Sequence, residues 1–192
     1  MIDDIAGKLL IATPSLQEGF FHDSVVLLCQ HDDEGSMGLV LNKPQPINVF
    51  EVLDDMELFE TERQKGIAQM RFEEQIVYEA GPVDEYRGFV LHEIDKTYDS
   101  TMRVGADFNL TTSKDILELI AEGKGPKRFS LLLGYAGWGE GQLEDELMNN
   151  DWLLATPTKD MIFDTPPEQM WAVAARGIGF ERSQLSHQIG HS

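Results

Sequence analysis

Four glycines, Gly134, Gly137, Gly139 and Gly141, sit in the stretch LLLGYAGWGEGQLEDEL, residues 131–147. An apolar run, a glycine-rich segment and then a helix is how many proteins hold a phosphate on backbone N–H groups. A phosphate loop also needs a lysine for the phosphates and a Ser or Thr for magnesium, whereas Gln142 and Leu143 follow Gly141 here. The dinucleotide spacing Gly-x-Gly-x-x-Gly is replaced by Gly-x-Gly-x-Gly. Glu140, Glu144, Asp145 and Glu146 flank the segment, and no Lys or Arg follows before Lys159. Carboxylates answer the positive end of a helix themselves, so they occupy the role a phosphate would take. Three readings stay open: an anion grip, a sharp turn needing φ > 0 with Trp138 packed over it, or a neutral ligand or partner backbone lying against bare glycines.

The other reactive residues are scattered. His22-Asp23 and His31-Asp32-Asp33-Glu34 carry metal-ligand types, but they bracket one predicted strand. At about 3.3 Å per residue that puts the histidines roughly 30 Å apart. The turn at residues 32–35 lacks the alternating Asp spacing of an EF-hand loop and reads as solvated. His92 ends an apolar run and reads as a packed or edge histidine; His187 and His191, in HQIGH, lack the His-Glu-x-x-His pattern. Cys29 stands inside VVLLCQH with no basic neighbour, which predicts a buried, inert thiol. Ser15 follows Thr13-Pro14, Ser36 falls in a predicted turn, and neither occupies a Gly-x-Ser-x-Gly elbow. Ala136 stands where an elbow would place its nucleophile. Lys124, Lys127 and Arg128 form the one basic cluster, explained by the negative end of a preceding helix.

Composition narrows the classes. The chain has 192 residues, 42% of them hydrophobic, enough for one substantial core. With 34 acids against 15 Lys and Arg the net charge is −19, which opposes contact with nucleic-acid phosphates and anionic lipid. One cysteine excludes an internal disulfide. The N-terminal residues MIDDIAGK are acidic where a signal peptide is basic, and no apolar run nears the roughly 20 residues of a membrane span. A cytoplasmic protein without membrane or nucleic-acid partners is expected.

Patterning supplies the elements that must position these residues. Strands are predicted at 8–12, 24–31 and 37–42, the last two as a hairpin, with Asn42-Lys43-Pro44 ending the pairing. Asn48 with Glu51 three residues on predicts a capping box for a helix bearing Val49, Val52, Leu53 and Met56. Residues 60–75 are polar and aperiodic and read as a mobile surface excursion. Further strands are predicted for QIVYEAGPV, stopping at Gly81-Pro82, for residues 88–94, and briefly near Thr101. A helix capped by Thr112 buries Ile116, Leu117, Ile120 and Ala121, with Gly123 just past its end. RFSLLLGY is a buried strand, residues 142–149 a short acidic helix and WLLATP a late strand. A last helix, capped by Asp164 or Thr165, runs through PPEQMWAVAARG to Gly177, before a polar tail from Glu181. The result is α+β in one domain spanning 1–192, without the regular βαβ alternation of a doubly wound sheet.

KLLIATPSL, FHDSVVLLCQHDDEGSMGLVLNKP, EAGPV, GFVLH and LLLGYAGWGEGQLEDEL ahead of NDWL occur in that order. Together they resemble the AlgH/YqgE family of bacterial cytosolic proteins. The resemblance implies a compact α+β fold with a mixed, bifurcated, partly barrel-like β-sheet surrounded by helices. It implies no cofactor, no bound metal, no established reaction and no particular oligomeric state. One branch bears the name of a regulator of alginate synthesis and transcription, yet this sequence has no helix-turn-helix pattern and no basic face.

The family's motif residues carry over as Asn42, Pro44, Gly81, Pro82, Gly134, Gly137, Trp138, Gly139, Gly141, Gln142 and Glu144. They fall at predicted strand ends, so the loops after Leu41, Ala80 and Tyr135 are expected to share one pocket; the rival reading makes them turn and packing residues. The leading functional expectation is a non-catalytic protein binding a small molecule or protein partner in a regulatory or adaptor role. The alternatives are a metal-assisted hydrolase using Glu140 and Glu144 with a histidine, and a transcriptional regulator, which the net charge disfavours as a direct DNA binder.

Overall fold

The computed structural model describes residues 4–16 and 19–178. In chain order it contains β1 (Leu9–Ala12), β2 (Val25–Asp32), β3 (Gly35–Val40), β4 (Pro44–Asn48), α1 (Val49–Asp55), α2 (Glu62–Phe72), β5 (Ile76–Glu79) and β6 (Val83–Glu93). Then come β7 (Thr101–Val104), β8 (Phe108–Thr111), α3 (Lys114–Ala121), β9 (Phe129–Gly139), α4 (Gln142–Met148), β10 (Trp152–Ala155), α5 (Lys159–Asp164) and α6 (Pro167–Gly177). The fold is α+β: a curled, half-barrel sheet, mostly antiparallel, with helices packed on both its faces.

The sheet order is β10-β1-β2-β3-β9-β6-β8-β7, and β9 is its hub. One edge of β9 pairs with β6. The other edge pairs first with β5, in parallel, from Val77↔Leu131 to Glu79↔Leu133. It then pairs with β3, antiparallel, from Gly38↔Ala136 to Gly35↔Gly139. The partner changes at Gly134, and this is where the sheet forks. Ala80 bridges the fork: its N–H donates to Leu133 O at 2.7 Å and its carbonyl accepts from Val40 N at 2.8 Å.

Three apolar layers result. Inside the curl, Leu9, Ile11, Leu27, Leu39, Phe89, Leu91, Phe108 and Leu132 pack against Met170, Trp171 and Ala174 of α6. Trp171 Nε1 also donates to Ala12 O at 2.8 Å, so α6 is held by a hydrogen bond as well as by area. Behind the β5, β6 and β9 segment, Val77, Val90 and Leu131 meet α1, α2 and α3 through Leu53, Phe72, Ile116 and Ile120. Outside β1, β2 and β3, Leu10, Val26, Leu28 and Val40 meet Leu143 of α4 with Trp138 and Trp152. Each fully buried aliphatic side chain contributes about 1.5–3 kcal/mol, so the three layers, more than helix propensity, hold the short helices.

Several expectations change. Residues 60–75 hold α2, capped by Thr61, whose hydroxyl accepts from Gln64 N at 3.1 Å. Only Ala68 and Phe72 of this helix are buried, a stripe too thin to raise a periodic signal. Pairing does not end at Asn42-Lys43-Pro44: it resumes in β4, an edge strand that tolerates Pro44 and Pro46. The strand expected at 88–94 begins at Val83. The elements β8 and α5 are too short to stand out in sequence. Helix α3 is capped at Ser113 rather than Thr112, and α6 at Pro166 rather than Asp164 or Thr165. The Asn48–Glu51 capping box forms as expected, at 2.8 and 3.2 Å. Gly123 follows α3 with φ +78°, as a terminating glycine requires. Arg128 does not serve a helix end. It binds Glu93, Asp160 at 2.9 Å and Asp164 at 2.7 Å, clamping α5 to β6. His187, His191 and the tail from Glu181 lie outside the described residues.

Candidate functional site

The eleven motif residues divide into two groups. The first builds the fork. Asn42 Oδ1 accepts from Val25 N at 3.0 Å and its Nδ2 donates to Asp23 O at 3.0 Å, tying the end of β3 to the start of β2. Gly81 lies directly on the backbone of Tyr135, and a methyl group there would overlap the Tyr135 carbonyl. Gly134 adopts φ +80°, and its own Cβ would fall 2.5 Å from Gly81 O. Pro44 opens β4 opposite Tyr78, and Pro82 is exposed beside Gly81. The structure thus brings the segments after Leu41 and Ala80 close to Gly134 and Tyr135. At the fork itself, backbone fills the space between them.

The second group lies where β9 continues. No loop follows Tyr135: Gly137, Trp138 and Gly139 are strand residues paired with β3. Strand alternation separates them. Trp138 turns outward, 5% exposed, stacked on Phe21 at 6.1 Å and edge-on to Trp152. Gly137 and Gly139 turn to the inner face, and both are exposed. Neither has a positive φ, and a Cβ on either would meet nothing closer than 3.9 Å. Gly141 is different: φ +74° at the start of α4 makes it a turn glycine. Gln142 Oε1 accepts from Gly139 N at 3.0 Å, and Glu144 Oε1 lies 3.0 Å from His31 Nε2.

The inner face leads into a concavity of about 520 Å³. The rung Gln30–Met37–Gly137 crosses β2, β3 and β9. Gln30 and Met37 line the concavity together with Phe89, Met102, Leu110 and Tyr135. Sequence reasoning names none of these as site residues, since only the register across three strands assembles them.

Arg87 also lines it, and a bulge places it there. Val83 pairs with Tyr135 and Gly88 with Leu133, so five steps along β6 oppose two along β9. Bulges re-aim side chains in this way. The Arg87 guanidinium sits 5.2 Å from the Phe89 ring and 5.9 Å from the Tyr135 ring, in cation–π range. Among the described residues, no carboxylate lines the concavity, although the chain carries 34 acids. A lone Arg beside glycine in DEYRGF is the one sequence signal that could have found it.

The remaining reactive groups resolve as follows. Cys29 is buried, and desolvation pushes its thiol up to about 12, so it is inert at neutral pH. His92 is fully buried, with Nε2 2.8 Å from Thr111 Oγ1 and Nδ1 2.9 Å from Glu93 O and 3.2 Å from Asp95. Among the described residues, no three His, Cys, Asp or Glu side chains converge as a metal-ligand set, and no helix is long and apolar enough to cross a membrane.

Residues 9–183 match the family described as AlgH-like. A UPF0301 protein of Pseudoalteromonas translucida is 40% identical over 191 residues, 100% of both chains. One from Cupriavidus metallidurans is 43% identical over 189 residues, 98% of this chain and 96% of its own. The solution structure of AlgH from Pseudomonas aeruginosa superposes with a TM-score of 0.77 at 36% identity, covering 100% of this chain and 98% of that one. A crystal structure of a Corynebacterium diphtheriae protein gives 0.70 at 22% identity, covering 91% and 87%, a likeness of fold alone.

Proposed function

We propose, from the premise that this chain belongs to the AlgH-like family, that it is a cytosolic binding protein acting as one domain in a regulatory or adaptor role. The inner face of the half-barrel takes up a small molecule with a flat apolar body and one anionic group. Met37, Phe89, Met102, Leu110 and Tyr135 supply apolar wall, and Gln30, Arg87, Ser100, Thr101 and Thr112 supply the polar groups, Arg87 the charged one. This is the usual make-up of a ligand site: mostly apolar, with a few placed polar groups. Beyond the lining residues, Gly137, on the same rung as Met37, and Gly139 continue that strand face as bare backbone against which a planar group can lie. One observation carries the reading: in a chain of net charge −19, this concavity is lined, among the described residues, by an arginine and by no acid. The same net charge sets the regulatory role apart from direct DNA contact.

Amide chemical-shift mapping with a panel of aromatic carboxylates tests it. The expected result is a set of shifts at Met37, Phe89, Gly137 and Gly139 that disappears in Arg87→Glu. Shifts confined to other surfaces, or unchanged in Arg87→Glu, would sink the reading.

A further inference from the structure

The outer face of the same hairpin carries a second constellation, on the side of the sheet opposite the concavity. The register of β2 and β3 makes His31 and Ser36 rung partners, and α4 brings Glu144 across them. His31 Nδ1 lies 2.6 Å from Ser36 Oγ, and His31 Nε2 lies 3.0 Å from Glu144 Oε1. This is a hydroxyl–imidazole–carboxylate chain drawn from three elements. The carboxylate can only accept, so it selects the Nε2–H tautomer and leaves the Nδ1 lone pair facing the serine hydroxyl. The imidazole is shielded, its side chain 8% exposed, while the Glu144 side chain is 33% exposed and Ser36 half-buried. A tie between α4 and the hairpin would need only the His31–Glu144 pair. The serine adds nothing to that tie, because β2 and β3 already hold Ser36 and His31 side by side.

We propose that Ser36 is a nucleophile for acyl transfer, with His31 as its general base and Glu144 as the residue that positions the imidazole. Ser36 Oγ attacks the carbonyl carbon of a carboxylic ester as its proton passes to His31 Nδ1. The new Oγ–C bond forms, the bond from carbon to the alcohol oxygen breaks, and His31 returns the proton to the departing oxygen. Water, deprotonated by the same nitrogen, then releases the carboxylic acid and regenerates the hydroxyl. Asp32, Asp33, Glu34, Glu140 and Asp145 flank these residues in the chain, so the substrate class is uncharged or cationic esters. The sequence hides the arrangement because Ser36 lies in a strand rather than in the expected turn or an elbow, and Glu144 is 108 positions further on.

The test uses the full chain and an alkyl fluorophosphonate, whose P–F bond breaks as Oγ–P forms, with fluoride and a proton leaving. Peptide mass spectrometry is expected to find one adduct, on Ser36, absent from Ser36→Ala. His31→Gln should slow labelling by about a hundredfold, the low end of general-base contributions, with the melting temperature held within a few degrees. Glu144→Gln keeps an oxygen to accept from Nε2–H, so it preserves the tie, and should slow labelling by a smaller factor. It also serves if His31→Gln does not fold. An unlabelled Ser36 in the native chain, or labelling as fast in these variants as in the parent, overturns the proposal.

Discussion

Gly134 and Gly139 lie on one strand, yet they are glycines for opposite reasons. At Gly134, φ is +80° and Gly81 O stands where a side chain would begin, so the backbone of the fork demands the bare residue. At Gly139 the backbone is ordinary strand and the space beside it is open. The first half of the motif is explained by the chain's own packing. In the second, Trp138 is packed and Gly141 turns the chain, but Gly137 and Gly139 are required by neither packing nor φ, and the proposed binding role rests on these two. A cluster of glycines is therefore not one feature: what each missing Cβ would have touched differs along the strand.

The largest expected effect tests the fork. Gly81→Ala sets a methyl onto the Tyr135 carbonyl, and Gly134→Ala adds an unfavourable positive φ. Each should cost roughly 3–5 kcal/mol, in the range kept for strain and core disruption, and chemical denaturation would measure it. Stability close to the parent would show that the fork relaxes and that its glycines are not structural. Next in size is Asn42→Ala, which removes the acceptor of the buried Val25 N–H. A loss of about 1–3 kcal/mol is expected, with strands β2 and β3 exchanging amide protons faster at that end. Smallest is Gly139→Val. It should leave stability within about 0.5 kcal/mol, because a β-branched residue suits an open strand position, while abolishing aromatic-carboxylate binding in the shift assay. A collapse of stability there would erase the contrast between the two glycines.

Helix α1 and the central strand β2 follow from local physics. Asn48 and Glu51 reach each other within one turn, so their capping box can be read from spacing alone. Val25 to Cys29 are apolar in a continuous run, which suits a strand covered on both faces. The net charge of −19 likewise opposes, without coordinates, contact with phosphate backbones. By contrast, the stretch around Gly137 looks like a loop in sequence because glycine and short polar residues weaken any strand signal. It is a strand because β3 supplies the hydrogen-bonding partner, 100 residues earlier in the chain.

The same distinction governs the site. Residue types and their local order announce the family, its α+β class and the importance of residues 131–147, since each depends on neighbours close in the chain. Which glycines face a cavity, which side of β9 Trp138 occupies, and that Arg87, Met37 and Tyr135 share one wall all depend on register among strands distant in sequence. Because strand side chains alternate with a period of two, a one-residue slip in that register would exchange the two faces. Only the folded sheet decides that Gly137 shares the inner face with Met37 while Ser36 and His31 lie on the outer face with Glu144.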